Sequence, residues 1–142
     1  MQDRSNIRIL IIDDDVEFAN MLRLHLMSAG YAAEVAEDAV VGGKALLERP
    51  PTLVLCDIGM PYMNGLELMS LMRADAHSAA IPVVFISGRS DSNTMARAVE
   101  LGAADFLVKP ITREQLLLTV ESCLKAGGRR AVPPNYGFPP VV

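Results

Sequence analysis

Four groups of polar residues in this 142-residue chain each stand at the end of a short apolar run. Asp13-Asp14-Asp15 follows Ile7–Ile12, Asp57 follows Thr52–Cys56, Ser87 closes Pro82–Ser87, and Lys109, with Pro110 behind it, follows Asp105–Val108. Taken singly, each has an ordinary explanation. An aspartate after a strand commonly caps the next helix, a serine there commonly makes a turn, and a lone lysine is usually a solvated charge. Taken together they offer carboxylates, a hydroxyl and an ammonium. Crowded carboxylates repel: two unit charges about 4 Å apart cost about 1 kcal/mol in water and about 4 kcal/mol at an effective dielectric near 20. A divalent ion offsets that cost. Mg²⁺ binds through one or two carboxylates and keeps its other positions for water and phosphate oxygens, with Mn²⁺ as the alternative ion. A carboxylate beside a metal, an ammonium and a hydroxyl suits phosphoryl transfer onto that carboxylate.

These distant residues converge only if the runs are parallel strands of one sheet, and the rest of the pattern predicts that. The strands expected are Ile7–Ile12, Tyr31–Ala36, Thr52–Cys56, Pro82–Ser87 and Asp105–Val108, mostly continuous apolar runs, as strands covered on both faces require. Between them lie stretches of helical periodicity: Val16–Ala29, with Phe18, Met21, Leu22, His25, Leu26 and Ala29 on the apolar side; Asp38–Arg49, weakened by Gly42-Gly43; Leu66–Arg73; and Asn93–Leu101. Thr112, with Gln115 three residues on, opens a last helix to about Ala126. Strand and helix alternating five times imply a doubly wound α/β fold with helices on both faces of a parallel sheet. Such sheets bind ligands beyond the carboxyl ends of their strands, which is where the polar residues stand.

Composition narrows the function classes. Hydrophobic residues make up 51% of the chain, enough for one well-filled core. The net charge of −4, with no basic run, argues against direct nucleic-acid binding. The two cysteines, Cys56 and Cys123, lie far apart and read as small buried apolar side chains. The polar start Met1–Asn6 does not resemble a signal peptide, and no apolar run is long enough to span a bilayer, so a cytoplasmic location without membrane contact is expected. Residues 127–142, rich in proline and carrying Tyr136 and Phe138, read as a tail or linker, or as a docked strap.

Four segments taken in order resemble the receiver domains of two-component response regulators, of the chemotaxis-regulator kind. They are Ile9-Leu10-Ile11-Ile12-Asp13-Asp14-Asp15, Leu53-Val54-Leu55-Cys56-Asp57-Ile58-Gly59-Met60-Pro61-Tyr62-Met63-Asn64-Gly65, Val83-Val84-Phe85-Ile86-Ser87-Gly88 and Gly102-Ala103-Ala104-Asp105-Phe106-Leu107-Val108-Lys109-Pro110. Residues 6–126 form the receiver on this reading. The resemblance implies a flavodoxin-like strand order 2-1-3-4-5, with Asp57 as phosphoacceptor. Asp14 is then the direct Mg²⁺ ligand, Asp13 a ligand acting largely through water, and the Gly59 backbone carbonyl a further ligand. Ser87 grips a phosphoryl oxygen and Lys109 pairs with the acyl phosphate. Similar domains have a cis peptide before the proline matching Pro110. A histidine kinase or phosphotransfer protein is the implied donor, and a downstream effector or a second copy of the chain the implied partner.

The implied switch couples Ser87 to Phe106. Ser87 moves to the phosphoryl group, Gly88 permits the shift, and the ring enters the vacated space, remodelling the face of the fourth helix, fifth strand and fifth helix. Phe106 stands where many receivers have tyrosine, so it offers no hydroxyl, and an ordinary surface phenylalanine is the rival reading. Gly59 and Arg89 fall at positions that tune water access to the phosphoryl group. The histidines carry no role: His25 reads as helix packing and His77 as a loop residue. The Met60–Met72 stretch reads as core packing. A haloacid-dehalogenase-like phosphatase, with Asp13 and Asp15 as nucleophile and acid, lacks its further acidic motif here. A nucleotide-binding doubly wound protein lacks a Gly-rich loop after the first strand.

Overall fold

A computed structural model describes residues 4–88 and 92–126. The strands are β1 (Arg4–Ile12), β2 (Tyr31–Ala36), β3 (Leu53–Asp57), β4 (Val83–Ser87) and β5 (Asp105–Val108). The helices are α1 (Val16–Ser28), α2 (Ala39–Glu48), α3 (Gly65–Ala74), α4 (Ser92–Glu100) and α5 (Arg113–Lys125). The sheet runs β2-β1-β3-β4-β5, parallel throughout, in the strand order the resemblance implied. β1 begins at Arg4, ahead of the expected Ile7, with a register irregularity between Arg4 and Arg8. The 127–142 tail and Arg89 lie outside the described residues.

The helix starts follow from side-chain caps. Asp15 accepts from the Phe18 N–H and Asp38 from the Val41 N–H, each satisfying a backbone donor that the first turn leaves without a partner. Thr112 and Gln115 form the expected capping box on α5, and Asn64 with Glu67 forms a second one on α3. Gly42, which weakens α2 by propensity, has a packing reason. A Cβ there would stand 2.8 Å from Ile12 Cδ1, so the glycine lets α2 lie close on β1.

Alternation along each strand divides the core into two layers. Leu10, Ile12, Val54, Cys56, Val83, Phe85 and Phe106 face the layer shared with α2, α3 and α4. Ile9, Ile11, Leu53, Leu55, Val84, Ile86 and Leu107 face the layer shared with α1 and α5. Both cysteines are buried. On α1 the buried positions are Ala19, Leu22 and Leu26, while Met21 points outward, 38% exposed. No helix among the described residues is long and apolar enough to cross a membrane.

Candidate functional site

Register and alternation together set the site. Ile12 pairs with Cys56, so the next residues, Asp13 and Asp57, leave adjacent strands side by side. Both continue the series that faces α1 and α5 (9, 11, 13 and 53, 55, 57). Lys109 continues the same series from Leu107 on β5. The contacts agree: Lys109 Nζ lies 3.4 Å from Asp13 Oδ2 and 3.9 Å from Asp57 Oδ1. Asp13, Asp14 and Asp57 each present an oxygen within 4.8 Å of the others. Asp13 and Asp57 are buried and Asp14 is exposed. Asp15, by contrast, spends its carboxylate on the α1 cap.

The loops hold these groups by backbone bonds. The Asp15 N–H donates to Asp13 Oδ1 at 2.9 Å, and the Asp13 N–H to the Ala36 carbonyl. After β3 the Ile58 N–H donates to the Ile86 carbonyl, and the Gly65 N–H to the Ile58 carbonyl at 3.0 Å. Gly65 is the tightest point of this turn. A Cβ there would fall 2.6 Å from the Asp57 carbonyl oxygen and 3.1 Å from Cys56 Sγ. The Lys109 N–H donates to the Ser87 carbonyl at 2.8 Å, tying the ends of β4 and β5 together, and the Lys109–Pro110 peptide is cis.

The electrostatics are those of an anionic cluster with too little counter-charge. Burial, then the neighbouring Asp13 carboxylate, push the Asp57 carboxyl up to about 6, against the lowering pull of Lys109 and the Gly59 N–H. Asp13 is also raised, first by burial, although the Asp15 N–H and Lys109 favour its charged form. Its Oδ2 atom is buried with no close, well-aligned hydrogen-bond donor among the described residues, Lys109 Nζ approaching only to 3.4 Å. A buried carboxylate oxygen left in that state costs free energy. The carboxylates of Asp13, Asp14 and Asp57, three hard oxygen donors, fit a divalent ion such as Mg²⁺. Gly59 lies exposed in the turn, and a Cβ there would meet nothing within 4 Å.

Ser87 and Phe106 belong to the opposite series, continuing Phe85 on β4 and lying beside it on β5, towards α2, α3 and α4. Ser87 is 8% exposed and Phe106 is fully buried, so the ring is not an ordinary surface phenylalanine. Met60, Met69 and Met72 are core residues. A groove of about 420 Å³ between α2 and α3, lined by Leu46, Leu47, Tyr62, Leu71 and Met72, contains none of the clustered carboxylates. One neighbour of the cluster was not singled out by spacing. The Phe18 ring lies under Lys109, with Nζ 4.4 Å from its centroid; in the sequence it reads only as part of the apolar side of a helix.

A family model described as response regulator receiver domain matches residues 9–121. The chain is 33% identical over 118 residues to the DNA-binding response regulator MtrA of Mycobacterium tuberculosis, covering 83% of this chain and 50% of that protein. It is 32% identical over 119 residues to the transcriptional regulatory protein RprY of Bacteroides fragilis, covering 84% and 50%. The chain thus spans about half the length of these curated relatives. Among solved structures, a CheY-like receiver domain protein from Methanospirillum hungatei superposes with a TM-score of 0.79 at 25% identity, over 89% of this chain and 97% of that one. The chemotaxis protein CheY4 of Vibrio cholerae superposes with a TM-score of 0.77 at 25% identity, over 81% and 96%.

Proposed function

This chain belongs to the response-regulator receiver family, and on that premise we propose that it is a signalling switch whose Asp57 accepts a phosphoryl group from a histidine kinase or phosphotransfer protein. The observation that carries the reading is the convergence of Asp13, Asp14, Asp57 and Lys109 at one sheet edge. A carboxyl titrating near 6 is mostly ionised at neutral pH and more basic than an ordinary aspartate, as a nucleophile should be. An Asp57 oxygen forms the new O–P bond as the donor's N–P bond breaks, and the imidazole leaves with a proton. Lys109, already between Asp13 and Asp57, offsets the charge on the phosphoryl oxygens. Asp13, Asp14, Asp57 and the Gly59 carbonyl would hold Mg²⁺. That ion supplies charge neutralisation and orientation of the phosphoryl oxygens when bound.

The output reading is a two-state equilibrium. Aspartyl phosphate adds negative charge and acceptor oxygens. Ser87 donates to one of them, and Phe106 occupies the space behind Ser87, changing the surface of α4, β5 and α5. Ser87 and Phe106 share one side of the β4–β5 pair, which is what supports this coupling; the ring is already buried with Asp57 unmodified. Phosphorylation shifts the populations only by its differential interaction with the two states. The partner so addressed is an effector domain or protein, or a second copy of the chain, in the cytoplasm. The net charge of −4 favours output through such a partner over direct nucleic-acid contact by this domain.

The test is intact mass after incubation with acetyl phosphate and Mg²⁺. The wild type gains one phosphoryl group and Asp57→Ala gains none; a label that persists in the variant overturns the assignment.

A further inference from the structure

Lys109 has a third partner besides the two carboxylates. Its ammonium sits 3.4 Å from Asp13 Oδ2, 3.9 Å from Asp57 Oδ1 and 4.4 Å from the centroid of the Phe18 ring. The same loop sets both sides of this cage. The Asp15 N–H fixes Asp13, and the Asp15 carboxylate accepts from the Phe18 N–H at 3.1 Å. The ring is half-buried and packed against the layer formed by α1 and α5, so it is held from behind. The lysine side chain is 25% exposed, which leaves it one open side.

We propose that Phe18 is a positioning residue for Lys109, its ring face holding the ammonium over Asp13 and Asp57 in readiness for a phosphoryl oxygen. A lysine side chain is long, has high rotamer entropy and is strongly hydrated, so a weak hold lets it swing into solvent. An ammonium held only by carboxylates is held less firmly when the same oxygens bind a divalent ion, whose charge repels it. The π-face is a partner for which such an ion does not compete, because it offers no hard oxygen. A cation over a phenyl face within about 6 Å is attracted by the ring quadrupole, with a strength that corresponds to about a 2- to 30-fold bias from exposed to desolvated sites. This inference rests on the reading of Lys109 as the group that meets the phosphoryl oxygen.

The experiment uses the full chain labelled with ¹³C and ¹⁵N. In EDTA, the Lys109 CεH₂ protons should resonate upfield of those of Lys44 and Lys125, because they lie over a ring face. That displacement should vanish in Phe18→Leu and persist in Phe18→Tyr. With acetyl phosphate and Mg²⁺, Phe18→Leu should slow phosphorylation by about 2- to 30-fold, and Phe18→Tyr, which keeps a ring face, should recover most of the rate. In a Lys109→Met background, Phe18→Leu should have no further effect, since the interaction is already gone. A wild-type Lys109 signal with no upfield displacement overturns the proposal without any variant. So does an equal slowing by Phe18→Leu with and without Lys109, which would make the ring general packing. If wild type takes no phosphoryl group at Asp57, the functional reading fails separately, and the signal in EDTA still decides the contact.

Discussion

Replacing Asp57 with asparagine removes one negative charge from a cluster with too few positive ones, and in the absence of metal this should stabilise the fold. Asp57 faces Asp13 and Asp14 within 4.8 Å, each worth about 3.5 kcal/mol of repulsion at an effective dielectric near 20 and under about 1 kcal/mol in water. Lys109, 3.9 Å away, returns about 4 kcal/mol on the same scale. Two repulsions against one attraction leave a penalty of about 2–3 kcal/mol. The raised carboxyl, pushed first by burial and then by Asp13, points the same way: held near 6 instead of near 4, it carries about 3 kcal/mol of unfavourable charge at neutral pH. Solvent at the open end of the cluster screens part of this, so about 1–2 kcal/mol is expected in measurement.

The sign follows from linkage. Between pH about 4 and about 6 the folded state holds a proton that the unfolded chain has released. Stability of the metal-free protein therefore falls as pH rises through that window, and the penalty is fully present above it. Urea denaturation in EDTA should show Asp57→Asn more stable than wild type by about 1–2 kcal/mol at pH 7.5, a rise in Tm of about 3–8 °C. The difference should disappear near pH 4. Excess Mg²⁺ should then stabilise wild type more than the variant. A variant equal to or less stable than wild type at pH 7.5 without metal would refute the reasoning.

Two further substitutions separate backbone from side-chain constraints. Gly65→Ala drives a Cβ into the Asp57 carbonyl oxygen, which cannot yield without moving the strand end; it should cost more than about 2 kcal/mol and slow phosphorylation at Asp57. Gly42→Ala, which meets the end of the Ile12 side chain, should cost less and leave phosphorylation intact, as paired urea melts and mass kinetics would show. Arg73 donates to the carbonyls of Ala79 and Ile81 at 3.0 and 2.9 Å and to that of Leu101 at 3.3 Å. Arg73→Met leaves these acceptors without their donor and should lower the unfolding free energy by about 2–4 kcal/mol, with an unchanged denaturant slope.

The strands, the helices and the edge that carries the chemistry were legible because each polar group interrupts an apolar run at its end. What could not be read was which face each residue takes. Strands such as Ile9–Ile12 and Leu53–Cys56 are apolar at every position, since both faces are covered, and a continuous run hides its own period. The registers across the sheet, Ile12 against Cys56, Asp57 against Ile86, and Ile86 against Leu107, show that Asp13, Asp57 and Lys109 share one side while Ser87 and Phe106 take the other. Phe18 was hidden for a related reason. At helical spacing with Leu22 and Leu26 it looks like core, and its meeting with Lys109 depends on a contact between residues 91 positions apart in the chain. The early start of β1 is not legible in the sequence because Arg4, Ser5 and Asn6 are polar, and the ion pair of Arg4 with Glu121 that ties the strand's start to α5 cannot be read from local pattern.

The central claim is that this one cluster is an acidic, cation-dependent acceptor for a phosphoryl group. Borohydride reduction after acetyl phosphate treatment tests it most directly, because it converts an aspartyl phosphate into homoserine, and peptide mass then locates it. The account predicts homoserine at position 57 with Mg²⁺ and almost none in EDTA. Modification at Asp13, Asp14 or Asp15, or equal modification of Asp57 without a divalent ion, would contradict it.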